Sequence, residues 1–117
     1  MRIPALLTDL EFVGQAEGDR RTYYVFKGRK HYLVASANNR GGLNVNTVEG
    51  ESPNAILRRF AGKEVTSKQL GKRGRGPALV RQRFERLNSL YVMVALGKAR
   101  KLKKREGRSM VFKIAAR

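Results

Sequence analysis

Val80, Phe84, Leu87, Tyr91 and Val94 recur at i, i+4, i+7, i+11 and i+14, one apolar stripe at helical spacing. Pro77 suits the first turn of a helix, where its missing N–H costs nothing, so the spacing predicts a helix from residue 77 to residue 88 and beyond. Arg81, Arg83, Glu85, Arg86 and Asn88 lie off the stripe. Beyond Asn88 the run LYVMVAL is apolar on every side. A chain with this segment must either bury the second half of the helix all round or turn it into a strand.

The residues before it obey a different period. Residues 10–16 (LEFVGQA), 22–27 (TYYVFK), 31–37 (HYLVASA) and 43–48 (LNVNTV) are rich in β-branched and aromatic side chains, and EGDR, GRK and NNRGG separate them. Glycines and polar runs of this length suit hairpin loops, which predicts an antiparallel meander of three or four strands. Tyr23 and Val25 fall on one face of their strand and Tyr24 and Phe26 on the other, so both faces are expected to be partly covered. These aromatics are read first as the core of a scaffold. The alternative is a tyrosine left exposed beside Arg29, Lys30 and Arg40, able to stack unpaired bases.

After GESP the helical period returns. Ser52 is placed to cap a helix with Pro53 at its first position, and Ala55, Ile56, Leu57 and Phe60 mark an apolar stripe that stops at Gly62. Glu64 and Val65 suit a brief strand. Thr66 and Gln69 in TSKQ fit a capping box opening one or two helical turns before Gly71. The C-terminal stretch KARKLKKREGRSMVFKIAAR has the composition of a solvated basic tail, yet Met110, Phe112 and Ile114 alternate with Val111 and Lys113 as in a half-buried strand. Glu106 and Gly107 supply a turn, and residues 99–104, with Leu102 as apolar anchor, supply the partner strand. The basic run is therefore expected to be one arm and the tip of a hairpin.

Helix, short strand, helix, longer helix and basic hairpin is the element order of the winged helix-turn-helix family, and residues 52–115 resemble it. The resemblance implies that residues 77–88 form a helix entering the major groove and residues 98–108 a wing touching the backbone or minor groove beside it. The expected fold class is α+β: an N-terminal antiparallel β-meander, residues 1–50, packed with a C-terminal winged-helix-like lobe, residues 51–117. The connection 71–76, GKRGRG, is longer than the usual turn of such a motif.

Charge names the class of partner. The chain holds 26 Lys and Arg against 9 Asp and Glu, a formal net charge of +17, and a polyanion is the natural counterpart. Residues 63–117 contain seventeen basic and three acidic side chains, a balance of +14, so the contact surface is expected there. Lys72, Arg73 and Arg75 sit in a glycine-bearing loop whose backbone can approach a phosphate or a narrow minor groove; a solvated loop is the plainer reading. Arg81, Arg83 and Arg86 are candidates for guanine and Asn88 for adenine, with contact to phosphate alone as the alternative. Lys98, Arg100, Lys101, Lys103, Lys104, Arg105 and Arg108 are the hairpin's candidates for phosphate. Duplex DNA is the favoured partner, bound by a transcription regulator or chromatin-associated factor. Structured RNA is second, for which a small basic ribosome-associated protein is the model. Oligomeric state is not legible.

Catalysis finds little material. There is no cysteine, His31 is the single histidine, and Asp9, Glu11, Glu17 and Asp19 fall at a strand end and a hairpin turn, where solvated acids are expected. GKRGRGP lacks the spacing of a Walker loop. The expectation is a protein without enzymatic activity, cofactor or metal. The longest wholly apolar run, residues 90–96, has seven residues, against about 20 for a spanning helix. No signal-length apolar segment develops before Asp9, and the expected location is cytoplasmic or nucleoid-associated, away from membranes.

Overall fold

A computed structural model describes residues 10–71, 80 and 83–116, with the side chains of Arg83 and Phe84 outside that description. The fold is α+β. Four strands, β1 (Glu11–Glu17), β2 (Thr22–Lys27), β3 (His31–Ala37) and β4 (Leu43–Glu49), form an antiparallel sheet in chain order. These are the expected segments, with β1 displaced by one residue and β4 extended by one. Register places Tyr23, Val25, Val34 and Val48 on one face and Phe12, Tyr24, Phe26 and Val45 on the other. The first set turns inward; Val25 and Val48 are fully buried.

The second half contains α1 (Ser52–Phe60), β5 (Glu64–Val65), a 3-10 turn (Ser67–Leu70), α2 (Arg83–Ala95), β6 (Ala99–Glu106) and β7 (Ser109–Ile114). The last three strands form a small antiparallel sheet in the order β5-β7-β6. In α1 the cap position belongs to Glu51 and not to the expected Ser52, which is buried inside the first turn beside Pro53. The capping box at Thr66 is present: Thr66 N–H donates to Gln69 Oε1 at 2.8 Å. The hairpin exists as expected, turning at Gly107, whose φ of +62° is one that glycine adopts without strain.

Two sequence expectations for the long helix are corrected or completed. Val80 lies in a bend outside α2, because its backbone is engaged elsewhere: its N–H donates to Leu70 O at 2.8 Å and its carbonyl accepts from Arg86 Nε at 2.9 Å. Pro77, the expected opening, lies outside the described residues. The run LYVMVAL stays helical to Ala95 and does not become a strand. It then stops in a Schellman arrangement, with Gly97 at φ +74°, Gly97 N–H on Val94 O and Lys98 N–H on Met93 O.

The all-round apolar character of that run follows from its position between two cores. Leu90, Tyr91 and Met93 pack with Ile56, Phe60, Val65, Leu70, Phe112 and Ile114, while Val92 packs with Val25, Tyr32, Val34 and Val48 of the meander. Tyr91 joins the two sheets directly. Its ring stacks on Tyr23 of β2 with centroids 4.1 Å apart and meets Phe112 of β7 edge-on at 6.1 Å.

β1 reaches the end of α2 through a register shift between Phe12 and Gly14. A Cβ built on Gly14 would lie 2.9 Å from Ala95 O, closer than real contacts allow, and the obstacle is backbone at a helix end. Gly14→Val is therefore expected to lower stability by about 1–3 kcal/mol, as overpacking does, measured by urea unfolding with an unchanged m-value.

Candidate nucleic-acid interface

The candidate interface is built on the β6–β7 hairpin, and its stiffness comes from the return strand. Phe112 and Ile114 are fully buried, and β5 pairs with β7 through Glu64↔Lys113 and Val65↔Phe112. Lys113 Nζ also donates to Gly62 O at 2.6 Å. A basic arm that would repel itself as a free tail is thus held in one place by the strand beside it.

Acidic residues from distant parts of the chain take up some of the arm's charge. Lys101 Nζ lies 3.2 Å from Asp19 Oδ1, and Arg105 pairs with the same oxygen. Lys104 pairs with Glu64. Asp19 belongs to the β1–β2 turn, so this contact ties the hairpin to the meander. Hydrogen bonds from Arg105 first, and from Lys101 second, hold the Asp19 carboxyl below its ordinary value of 3.8. Lys104 does the same to Glu64. The tie is present above the ordinary aspartate range and is lost as pH falls through the lowered value, because protonation removes the acceptor charge. In an NMR titration, the Asp19 carboxyl carbon is expected to have its midpoint below 3.8, with the amide signals of Lys101 and Arg105 moving in step.

Arg100, Lys103 and Arg108 are exposed and form no ion pair among the described residues. They are the hairpin cations most available to a phosphate. Lys98, at the foot of β6, is half-buried.

The helix expected to read bases is placed differently. Residues 88–93 of α2 are buried. Asn88 is 8% exposed and lines a cleft of about 440 Å³ with Ser36, Asn44, Asn46 and Tyr91, so it faces the meander instead of an outer groove. Arg86 is committed in part to the Val80 carbonyl and lies against Gly71, where an added Cβ would come within 2.9 Å of its guanidinium. With the Leu70–Val80 hydrogen bond it ties Val80 to the end of the 3-10 turn. Glu85 is partly buried toward Glu49 and His31; burial first, and the Glu49 charge second, raise its pKa. Arg83 is the first residue of α2. Its side chain, together with Lys72, Arg73, Arg75 and Arg81, lies outside the described residues.

The pairing of Asp19 with Lys101 and Arg105 is not legible in the sequence, because a turn acid more than eighty residues away carries no local signal of its partners. The outward aromatics of the meander are legible as an alternation, which points first to a core. Phe12, at 56%, and Tyr24, at 43%, are instead exposed. Among the described residues no group of three or more His, Cys, Asp or Glu is placed to hold a metal ion, and no helix is long and apolar enough to cross a membrane. No family model, curated protein or solved structure matches the chain.

Proposed function

We propose that this is a non-enzymatic nucleic-acid-binding protein that holds duplex DNA on its C-terminal lobe, mainly through phosphates and with little dependence on base sequence. The observation that carries this reading is the hairpin: Arg100 and Lys103 on β6 and Arg108 in the turn stand exposed and without ion pairs among the described residues, beside a return strand anchored by the buried Phe112 and Ile114. The chain's net charge of +17 supplies the long-range attraction. The order α1, β5, 3-10 turn, α2 and hairpin, with the hairpin paired to β5, agrees with a winged-helix arrangement and favours DNA as the target. A role as a chromatin-associated or nucleoid-associated factor suits binding of this kind better than one as a sequence-reading regulator.

Structured RNA is the second reading, favoured by the burial of residues 88–93. A helix buried along its second half offers little to a major groove, and an RNA scaffold would be met through phosphates and shape. Competition at one fixed salt among a defined DNA duplex, random DNA duplex and structured RNA tests both. The proposal expects the two DNAs to compete about equally and both to outcompete the RNA. Preference for the RNA rejects it in favour of the alternative.

A further inference from the structure

The outer face of the meander is apolar where a sheet open to water is ordinarily polar. Cross-strand register builds two adjoining rows, Phe12–Phe26–Leu33 and Tyr24–Ala35–Val45, in which Leu33 is buried, Phe26 and Ala35 are half-buried, and Phe12, Tyr24 and Val45 stand open. Phe12 is 56% exposed, Tyr24 43% and Val45 55%. Phe12 and Phe26 meet edge-to-face with centroids 5.4 Å apart, which fixes the orientation of an exposed ring that would otherwise rotate freely. The duplex-binding hairpin uses none of these residues.

Charge around the rim narrows the choice of occupant. Arg20, Arg21 and Arg40 lie in the two turns at one end of the sheet, and Arg29 and Lys30 in the turn at the other. Among the described residues two carboxylates share the outer face, Glu17 and Glu49, and Glu17 is occupied by Thr22 Oγ1 at 2.8 Å and Gln15 Nε2 at 3.2 Å. A depression of about 560 Å³ runs from Tyr24 to Arg20 and Arg21, so a flat ring and two cations border one space. A second copy of the chain would bring like-charged rims together in a molecule of net charge +17, which opposes self-association through this face.

Exposed rings flanked by arginine match what single-stranded nucleic acid requires: bases stack on the rings while cations follow the backbone. The choice of DNA over RNA on this face rests on the duplex-DNA reading of the adjoining hairpin. The Asp19 contact with Lys101 and Arg105 sets the β1–β2 turn, with Arg20 and Arg21, against the basic hairpin. We infer that the outer face of the β1–β4 sheet binds single-stranded DNA, with bases stacked on Tyr24 and on the Phe12–Phe26 pair and phosphates held by Arg20, Arg21 and Arg40. A strand leaving a duplex on the hairpin would reach this face across that turn.

The test uses the full chain and a labelled oligo(dT), with binding followed by anisotropy at fixed salt. Tyr24→Ala and Phe12→Ala are each expected to weaken oligo(dT) binding by about tenfold, within the range for loss of one stacked base, and to leave duplex affinity unchanged. Tyr24→Phe keeps the ring and is expected to keep the affinity, which separates stacking from a general loss of structure. Equal losses on duplex and oligo(dT), or no loss on either, overturn the inference. Tighter binding of oligo(U) than of oligo(dT) overturns the assignment to DNA, and a dimer that Val45→Lys dissolves assigns the face to a second copy. Ring-dependent oligo(dT) binding without duplex binding sustains this inference while rejecting the proposed function, so the two fail separately.

Discussion

Replacing Tyr91 with alanine is expected to lower the free energy of unfolding by about 3–5 kcal/mol, the range for deleting a large buried aromatic. That is a large part of the roughly 5–15 kcal/mol typical of a domain. The ring is 2% exposed and lies between Tyr23 of one sheet and Phe112 of the other. Its loss opens a cavity where the two sheets communicate, and flanking side chains on two separate β-sheets cannot collapse into it together. Unfolding of the native chain is expected to be a single transition by both far-ultraviolet and near-ultraviolet circular dichroism. In Tyr91→Ala the two signals are expected to shift together to lower denaturant. Tyr91→Phe keeps the stack and should cost much less, since the hydroxyl's bond to the Met110 sulfur, at 4.0 Å, is a weak one. Burial, more than any neighbouring charge, raises the Tyr91 pKa. The folded state thus favours the protonated phenol, and this group's contribution is complete below the ordinary tyrosine value of about 10 and lost as pH rises above it.

The largest expected effect on binding comes from Arg100, Lys103 and Arg108. Changing all three to alanine is expected to reduce the slope of log K against log salt on duplex DNA by about 2.7, at roughly 0.9 for each phosphate no longer neutralised. At about 0.1 M salt this corresponds to a fall of roughly two to three decades in affinity. The fall should be similar on every duplex, because phosphates carry no sequence. Lys101, Lys104 and Arg105 are predicted to contribute less per residue, since binding must first release them from Asp19 and Glu64. Asp19→Asn frees two cations at once and is expected to strengthen duplex binding severalfold. Filter binding or anisotropy over a salt series measures all of these, and an unchanged slope in the triple variant would show that the hairpin points away from the DNA.

Local patterns were sufficient for most of the elements. Aromatic and β-branched runs bounded by EGDR, GRK and NNRGG placed β2 and β3 to the residue, and the alternation in SMVFKIA identified a strand inside what composition alone would class as a tail. The capping box at Thr66 and Gln69 was readable because both partners lie within one turn. At Val80 the stripe misleads: its apolar character fits the helix, but its N–H and carbonyl bond to Leu70 and Arg86, and a periodicity of side chains is blind to where the backbone hydrogen bonds go.

The fate of the candidate site divides along the same line. Charge is a property of composition, so its concentration in residues 63–117 was fixed before folding. Which cations remain available was decided by contacts between residues far apart in the chain: Asp19 takes Lys101 and Arg105, Glu64 takes Lys104, and the Val80 carbonyl takes Arg86. Asn88 is polar and off the apolar stripe, which on a surface helix would place it in water. Here α2 is enclosed by a sheet on either side, and that enclosure turned Asn88 inward. The sequence by itself determined the strands, the turns, the amphipathic stripe and the sign of the surface, because each depends on neighbours a few residues away or on composition. Only the tertiary structure decided which faces of α2 and of the meander are covered, since exposure depends on what packs against a face, and that partner is brought by the whole chain.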